Sequence, residues 1–343
     1  MDSRIPCRRK TFRHNFSNKA FIPASSASTM EPERATSYRR NYQTKFKMPE
    51  NITIKNESVS VTVSPSAGAS LRSIKVNKNG NSYELLAGGD TKHDPTVLPH
   101  GEGSFVMAPW VNRIRDGKLR TPEGIYELPM NAPPHAIHGL ERDREWTVKS
   151  VTENTLKLEI ILADPWPYAG KVEYSLSLEG SSFHQTMRLI ADENESRPFP
   201  GSLGWHPWFN PSLGSDLVTA QADVKGQWEL KDIATASGKL EVTDITTRLQ
   251  NGTKFAIREV DGCFLMNPGG GAVISWPELT MTMTGSEEIT HFMFYSPEGA
   301  LCVEPQTCTV DAARLADDGF DDTGHVLVDR DNPLIASTTW SFE

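Results

Sequence analysis

From Pro49 onward the chain repeats a two-residue rhythm. Val59, Val61 and Val63 alternate with Ser60 and Thr62, and Leu156, Leu158, Ile160 and Leu162 with Lys157 and Glu159. Val172, Tyr174, Leu176 and Leu178 alternate with Lys171, Glu173, Ser175 and Ser177; Leu279, Met281 and Met283 alternate with threonines. Successive side chains of an extended strand point to opposite faces, so each run predicts a strand with one buried and one wet face, as in antiparallel sheets. Asn79-Gly80 between two such runs predicts a hairpin turn, and Asp261-Gly262 before Cys263-Phe264-Leu265 reads as another. Helical periodicity is scarce; Asp311 to Ala316 is the best short candidate, with Asp311 placed to act as N-cap. There is no fixed-period repeat and no internal linker. The predicted fold is all-β: one large antiparallel β-sandwich with few short helices.

Charge divides the chain. Residues 1–48 carry 11 Lys/Arg against 3 Asp/Glu, and the remaining 295 residues carry 24 against 41. The basic stretch, with Arg8-Arg9-Lys10 and the run Pro23-Ala24-Ser25-Ser26-Ala27-Ser28, fits a disordered arm, an organellar transit segment or sequence ahead of the true start. Residues 49–343 are expected to form the domain, a length that all-β folds reach as a single unit. Their acidity argues against a nucleic-acid partner, which would require a basic footprint. No apolar run approaches the ~18 residues of a membrane span. The four cysteines (Cys7, Cys263, Cys302, Cys308) show no metal-ligand spacing and read as reduced thiols. The expectation is a cytoplasmic enzyme, monomer or homodimer, acting on a small neutral molecule without nucleic-acid or membrane partners.

Candidate chemistry concentrates in Gly204-Trp205-His206-Pro207-Trp208-Phe209-Asn210 and Val303-Glu304-Pro305-Gln306-Thr307. If both segments are extended, Gly204, His206, Trp208 and Asn210 share one face, as do Cys302, Glu304, Gln306 and Cys308. Taken alone, His206 is also explained as a core histidine and Glu304 as an ion-paired strand glutamate. Neighbouring indoles favour a sugar site for the first. Apolar neighbours, which would raise the carboxyl pKa, favour a proton-transfer role for the second. Ala108 to Gly117 frames Asn112 and Arg113 in apolar residues. The His135-x-x-His138 pair lacks a third ligand, so no metal is expected.

Together the motifs APWVNRIRDG (108–117), AIHGL (136–140), GWHPWFN (204–210), VDGCFL (260–265), VEPQT (303–307) and TTWSF (338–342) resemble, in order and spacing, the galactose mutarotase (aldose 1-epimerase) family. The resemblance covers about residues 50–343 and implies a β-supersandwich whose concave face binds hexoses. It implies that His206 is the general acid that protonates the ring oxygen. Glu304 would be the base that takes the anomeric hydroxyl proton. Asn112, Arg113, His138 and Asp261 would contact sugar hydroxyls, and Trp208, Trp110, Trp166 or Trp205 would stack on the C–H face. The histidine is expected to be held protonated by neighbouring acids. No cofactor is implied, because nothing is oxidised and no group leaves. The sequence departs from the galactose enzymes at GWHPWFN, at His-Gly-Leu in place of His-Gly-Gly, and at Met293 where many carry glutamine, so galactose preference does not follow. Two other readings remain: a hexose-6-phosphate 1-epimerase using Arg113, Arg115, Arg142 or Arg144, and a non-catalytic sugar-binding module.

Overall fold

The alternating runs assemble into two large antiparallel sheets. In this computed structural model, residues 51–88, 101–231 and 234–343 are described; the basic segment 1–48 lies outside them. The first sheet runs Ile52–Lys55, Val59–Ser64, Ser70–Lys78, Ser104–Met107, Gly204–Phe209, Leu301–Gln306, His291–Tyr295, Asp261–Met266, Val224–Lys231 and Thr235–Glu241, with Asn81–Glu84 beside Ser70–Lys78. The second runs Thr147–Val151, Thr155–Ile161, Gly170–Glu179, Ser182–Ala191, Leu334–Phe342, Thr280–Gly285, Ala272–Ser275 and Thr219–Ala222.

The apolar half of each alternation faces the other sheet. Val59, Val61 and Val63 join Leu156, Leu158, Tyr174, Leu176, Met281 and Met283 in one continuous core. Phe209 of the first sheet meets Trp340 of the second at 5.4 Å between ring centroids. Burial of this kind contributes about 1.5–3 kcal/mol per large apolar side chain, and it holds the two layers together. The predicted hairpin forms at Asn79 (φ 52°) and Gly80 (φ 80°), both left-handed as a tight two-residue turn requires.

Two expectations need correction. Asp261-Gly262 is no turn: Asp261 opens the strand Asp261–Met266 opposite Tyr295, and a Cβ on Gly262 would lie 2.6 Å from the Gln227 amide nitrogen. That glycine answers close packing against a neighbouring strand. The helix Ala312–Asp317 forms, but Asp311 does not cap it. Asp311 is left-handed (φ 60°), and its carboxylate accepts the Arg115 backbone N–H at 3.2 Å and pairs with Arg314. A second helix, Asp244–Asn251, was not foreseen. Thr243 caps it reciprocally with Thr246, each backbone N–H donating to the other's hydroxyl at 3.1 Å.

Candidate active site

Sheet register brings the two chemical motifs together. Gly204 stands opposite Gln306 and Trp208 opposite Cys302, which places His206 across from Glu304. Phe105 pairs with His206 on one side, and Glu304 with Met293 on the other. One row across the sheet therefore reads Phe105, His206, Glu304, Met293. The next row, two residues along each strand, reads Trp208, Cys302, Tyr295, Asp261. Side-chain parity sends all eight to the face opposite the core, while Trp205, Phe209 and Val303 point inward. Gly204 is required at the end of this surface, since a Cβ there would meet Met107 at 2.8 Å and Gln306 at 2.9 Å.

The segment between residues 108 and 142 walls this face. Arg113–Ile114 pairs with Ala136–Ile137, and the Asn131 side chain clamps the Ile137 backbone, donating at 3.0 Å and accepting at 2.7 Å. Asn112 is left-handed (φ 50°); its Oδ1 accepts the Arg113 N–H, and its carbonyl accepts the His138 N–H at 3.0 Å. The Asp311 N–H donates to the Arg113 carbonyl, tying this wall to the chain just beyond Glu304. Gly139 lies against Ala108 so closely that a Cβ would fall 1.8 Å from the Ala108 carbonyl oxygen. The glycine of the His-Gly-Leu motif is thus a contact point between wall and sheet.

Wall and sheet enclose a cavity of about 350 Å³. His206, Glu304, Asn112, Arg113, His138, Asp261 and Trp208 all line it, so the seven residues given catalytic or sugar-contacting roles by the resemblance are brought to one place. His206 Nε2 lies 3.2 Å from Glu304 Oε1, and both side chains are almost fully buried. The His206 ring stacks on Trp208 at 5.2 Å with a 10° interplanar angle, and His138 meets it edge-on at 5.2 Å. Of the four tryptophans considered, Trp208 alone lines the cavity. Trp205, Trp110 and Trp166 belong to the core, the last two stacked on each other at 5.7 Å. Asn210 also drops out, because its amide donates to the Glu84 and Leu86 carbonyls. Arg115 is engaged by Thr235 and Arg144 by Glu141, leaving Arg113 and Arg142 at the cavity.

Phe105, Asn131 and Tyr295 also line the cavity, and the sequence did not single them out. The strand carrying Phe105 is buried at all four positions, so it shows no alternation to read. His135 does not share a ligand set with His138; its Nδ1 accepts the Asp116 N–H at 3.1 Å. His291, one row away, is a core histidine that accepts the Trp228 indole N–H at 3.0 Å. It is the alternative that was open for His206, realised at a different position.

Electrostatics revise the expected protonation. Burial pushes His206 down, to about 3, and the neighbouring Arg142 and Arg113 guanidinium groups push the same way. The expected raising of the His206 pKa by neighbouring acids is not seen. Burial also drives Glu304 well above the usual carboxylate range; Asp261 adds to this and Arg113 opposes it. Both groups are thus biased toward their neutral forms, a protonated carboxyl beside a neutral imidazole. That pair carries the same single proton as imidazolium with carboxylate, and a transfer across 3.2 Å interconverts the two.

The family model for aldose 1-epimerase matches residues 50–328. An uncharacterized Escherichia coli K12 protein, YihR, is 26% identical over 234 residues, covering 64% of this chain and 74% of its own. Among solved structures, a galactose mutarotase-like protein from Clostridium acetobutylicum superposes with a TM-score of 0.73 at 18% identity, covering 85% of this chain and 95% of its own. The GalM/aldose epimerase homologue from C. elegans gives 0.71 at 17% identity, with 86% and 98% covered. At such identities these structures speak to the fold, which they share over nearly their whole length. By the family match across most of its length, the chain belongs to the aldose 1-epimerase family.

Proposed function

We propose that the protein is an aldose 1-epimerase that interconverts the α and β anomers of an aldose by acid–base ring opening. The observation that carries this reading is the His206–Glu304 pair, 3.2 Å apart and lining a cavity of monosaccharide size. Ring opening removes a proton from the anomeric hydroxyl and delivers one to the ring oxygen. Both oxygens are bonded to the same carbon, so the groups serving them must stand close together. Two neighbouring side chains that hold one proton between them meet that requirement. A module that only bound sugar would have no use for it.

In the reactive form Glu304 is the carboxylate and His206 the imidazolium. Glu304 takes the O1 proton while His206 gives its proton to O5, and the C1–O5 bond breaks as the C1–O1 bond becomes a carbonyl. Each group typically contributes about 10²–10⁴ in rate. Rotation about C1–C2 presents the other carbonyl face, and O5 re-adds as the protons return. The Trp208 indole offers a platform for the sugar's C–H face. Asn112, Arg113, His138 and Asp261 supply donors and acceptors for its hydroxyls.

A second reading has its own support. Arg113 and Arg142 both line the cavity, and Arg142 is buried with its guanidinium 5.1 Å over the Phe105 ring. Two guanidinium groups suit a hexose 6-phosphate, although the body of the chain is acidic. Polarimetry on freshly dissolved α-glucose, α-galactose and α-xylose, with glucose 6-phosphate followed by coupled assay, separates the two. Acceleration of a free sugar supports the first reading; acceleration of the phosphate alone supports the second. Rates at the buffer value throughout would refute both.

A further inference from the structure

Ring opening makes no use of Cys302, yet the register places its thiol on the same face as the proton-transfer pair, one row along. A ring nitrogen of His206, the Cys302 Sγ and a Glu304 oxygen all lie within 4.8 Å of one another, and all three residues are buried. Glu304 Oε2 has no hydrogen-bond partner among the described residues although its side chain is only 2% exposed. Such an oxygen retains an unused acceptor in a place water reaches poorly. The other two described thiols are differently engaged: Cys263 accepts from Gln306 and Thr309, and Cys308 packs with Phe105, Met107, Val111 and Ala312.

We propose that His206, Cys302 and Glu304 form a binding site for a zinc-type divalent cation, which excludes sugar by occupying both proton-transfer groups. One imidazole nitrogen, one thiolate and one carboxylate are the donor types zinc takes, and three protein ligands with a fourth position open to a cavity is a common arrangement for it. Magnesium and calcium, which favour all-oxygen shells, fit this set poorly. Zinc bonds of ~2.0–2.3 Å bring tetrahedral donors to roughly 3.2–3.7 Å from one another. His206 and Glu304 already stand at 3.2 Å, so the thiol must close the remaining gap by a small side-chain rotation. Binding sends two protons to the buffer, the thiol's and the one shared by the pair, and neutral imidazole coordinates directly. Inhibition by the cation rests on the epimerase reading; binding of the cation does not.

Cobalt(II), a spectroscopic substitute for zinc, tests the site on the full chain without any assay of activity. Added cobalt should give a thiolate-to-metal charge-transfer band in the near ultraviolet that zinc abolishes. Cys302→Ser should lose the band and keep its epimerase rate. That variant should also need at least about tenfold more zinc for half-inhibition, equivalent to ~1.4 kcal/mol of binding. Should Cys302→Ser fail to fold, His206→Ala, which keeps the thiol, must raise the cobalt concentration needed for the band by a similar factor. A band that persists in Cys302→Ser, or no band at all with native protein, overturns the proposal. If no sugar is turned over, the cobalt band still decides the metal site, and the epimerase reading fails separately.

Discussion

At the scale of single residues, the account depends on one proton shared between His206 and Glu304. Burial lowers the first and raises the second. The doubly protonated pair therefore forms only below the ordinary histidine range, and the proton-free pair only above the ordinary carboxylate range. The catalysed rate, measured with a chelator present, should show a plateau bounded by the lowered histidine and the raised carboxyl and fall on both sides of it. A limb centred near ~6.5, the ordinary histidine value, would show instead that His206 titrates as an isolated group. The same burial has a consequence for stability. A carboxyl whose folded pKa exceeds its unfolded value of 4.5 contributes most below that value and loses stability as pH rises through the folded one. Glu304→Gln should thus melt higher than the native protein at pH 8, by about 2–4 °C per kcal/mol, with the gap closing at pH 4. Equal melting points at both pH values would contradict the raised carboxyl. The outward direction of both side chains was legible from strand parity. Their protonation was not, because it depends first on burial and then on charges such as Arg142 and Arg113, which approach from a separate segment.

At the scale of elements, alternation marked the half-wet strands well, since each has one core face and one solvent face. It failed where both faces are covered, as in Ser104–Met107, and so Phe105 was missed. Helix Asp244–Asn251 was missed because its capping partner at the third position is Thr246, where glutamate or glutamine is the usual signal. Asp261-Gly262 misled because one dipeptide serves either a turn or a close strand approach, and only the neighbouring Gln227 distinguishes them. The wall segment makes the sharpest demand. Gly139 has φ 70° and abuts Ala108, whereas Gly80 has φ 80° with open space around it. Both alanine substitutions carry backbone strain of roughly 1–3 kcal/mol, but Gly139→Ala must also displace a backbone carbonyl. Thermal melts should show a clearly larger loss for Gly139→Ala, together with a fall in catalysed rate through His138. Equal losses would mean that the wall is not held by this contact.

At the scale of the whole domain, an acidic β-sandwich assembles the chemistry of one sheet face from distant stretches. His206 and Glu304 lie 98 positions apart, and only the strand order, set by non-local pairing, makes them neighbours. The order of motifs pointed to that assembly through family resemblance, whereas periodicity alone gave strands without their sequence in the sheet. Among the described residues the first strand begins at Ile52, and removing residues 1–48 should leave both melting point and catalysed rate unchanged. A loss in either would place part of that segment in the working protein. The shared-proton mechanism is tested by the polarimetric decay of fresh α-glucose and α-galactose with native protein and with Glu304→Gln at equal folded concentration. The account predicts a catalysed decay that falls about 10²–10⁴-fold in the variant. Native-like acceleration by Glu304→Gln would contradict it.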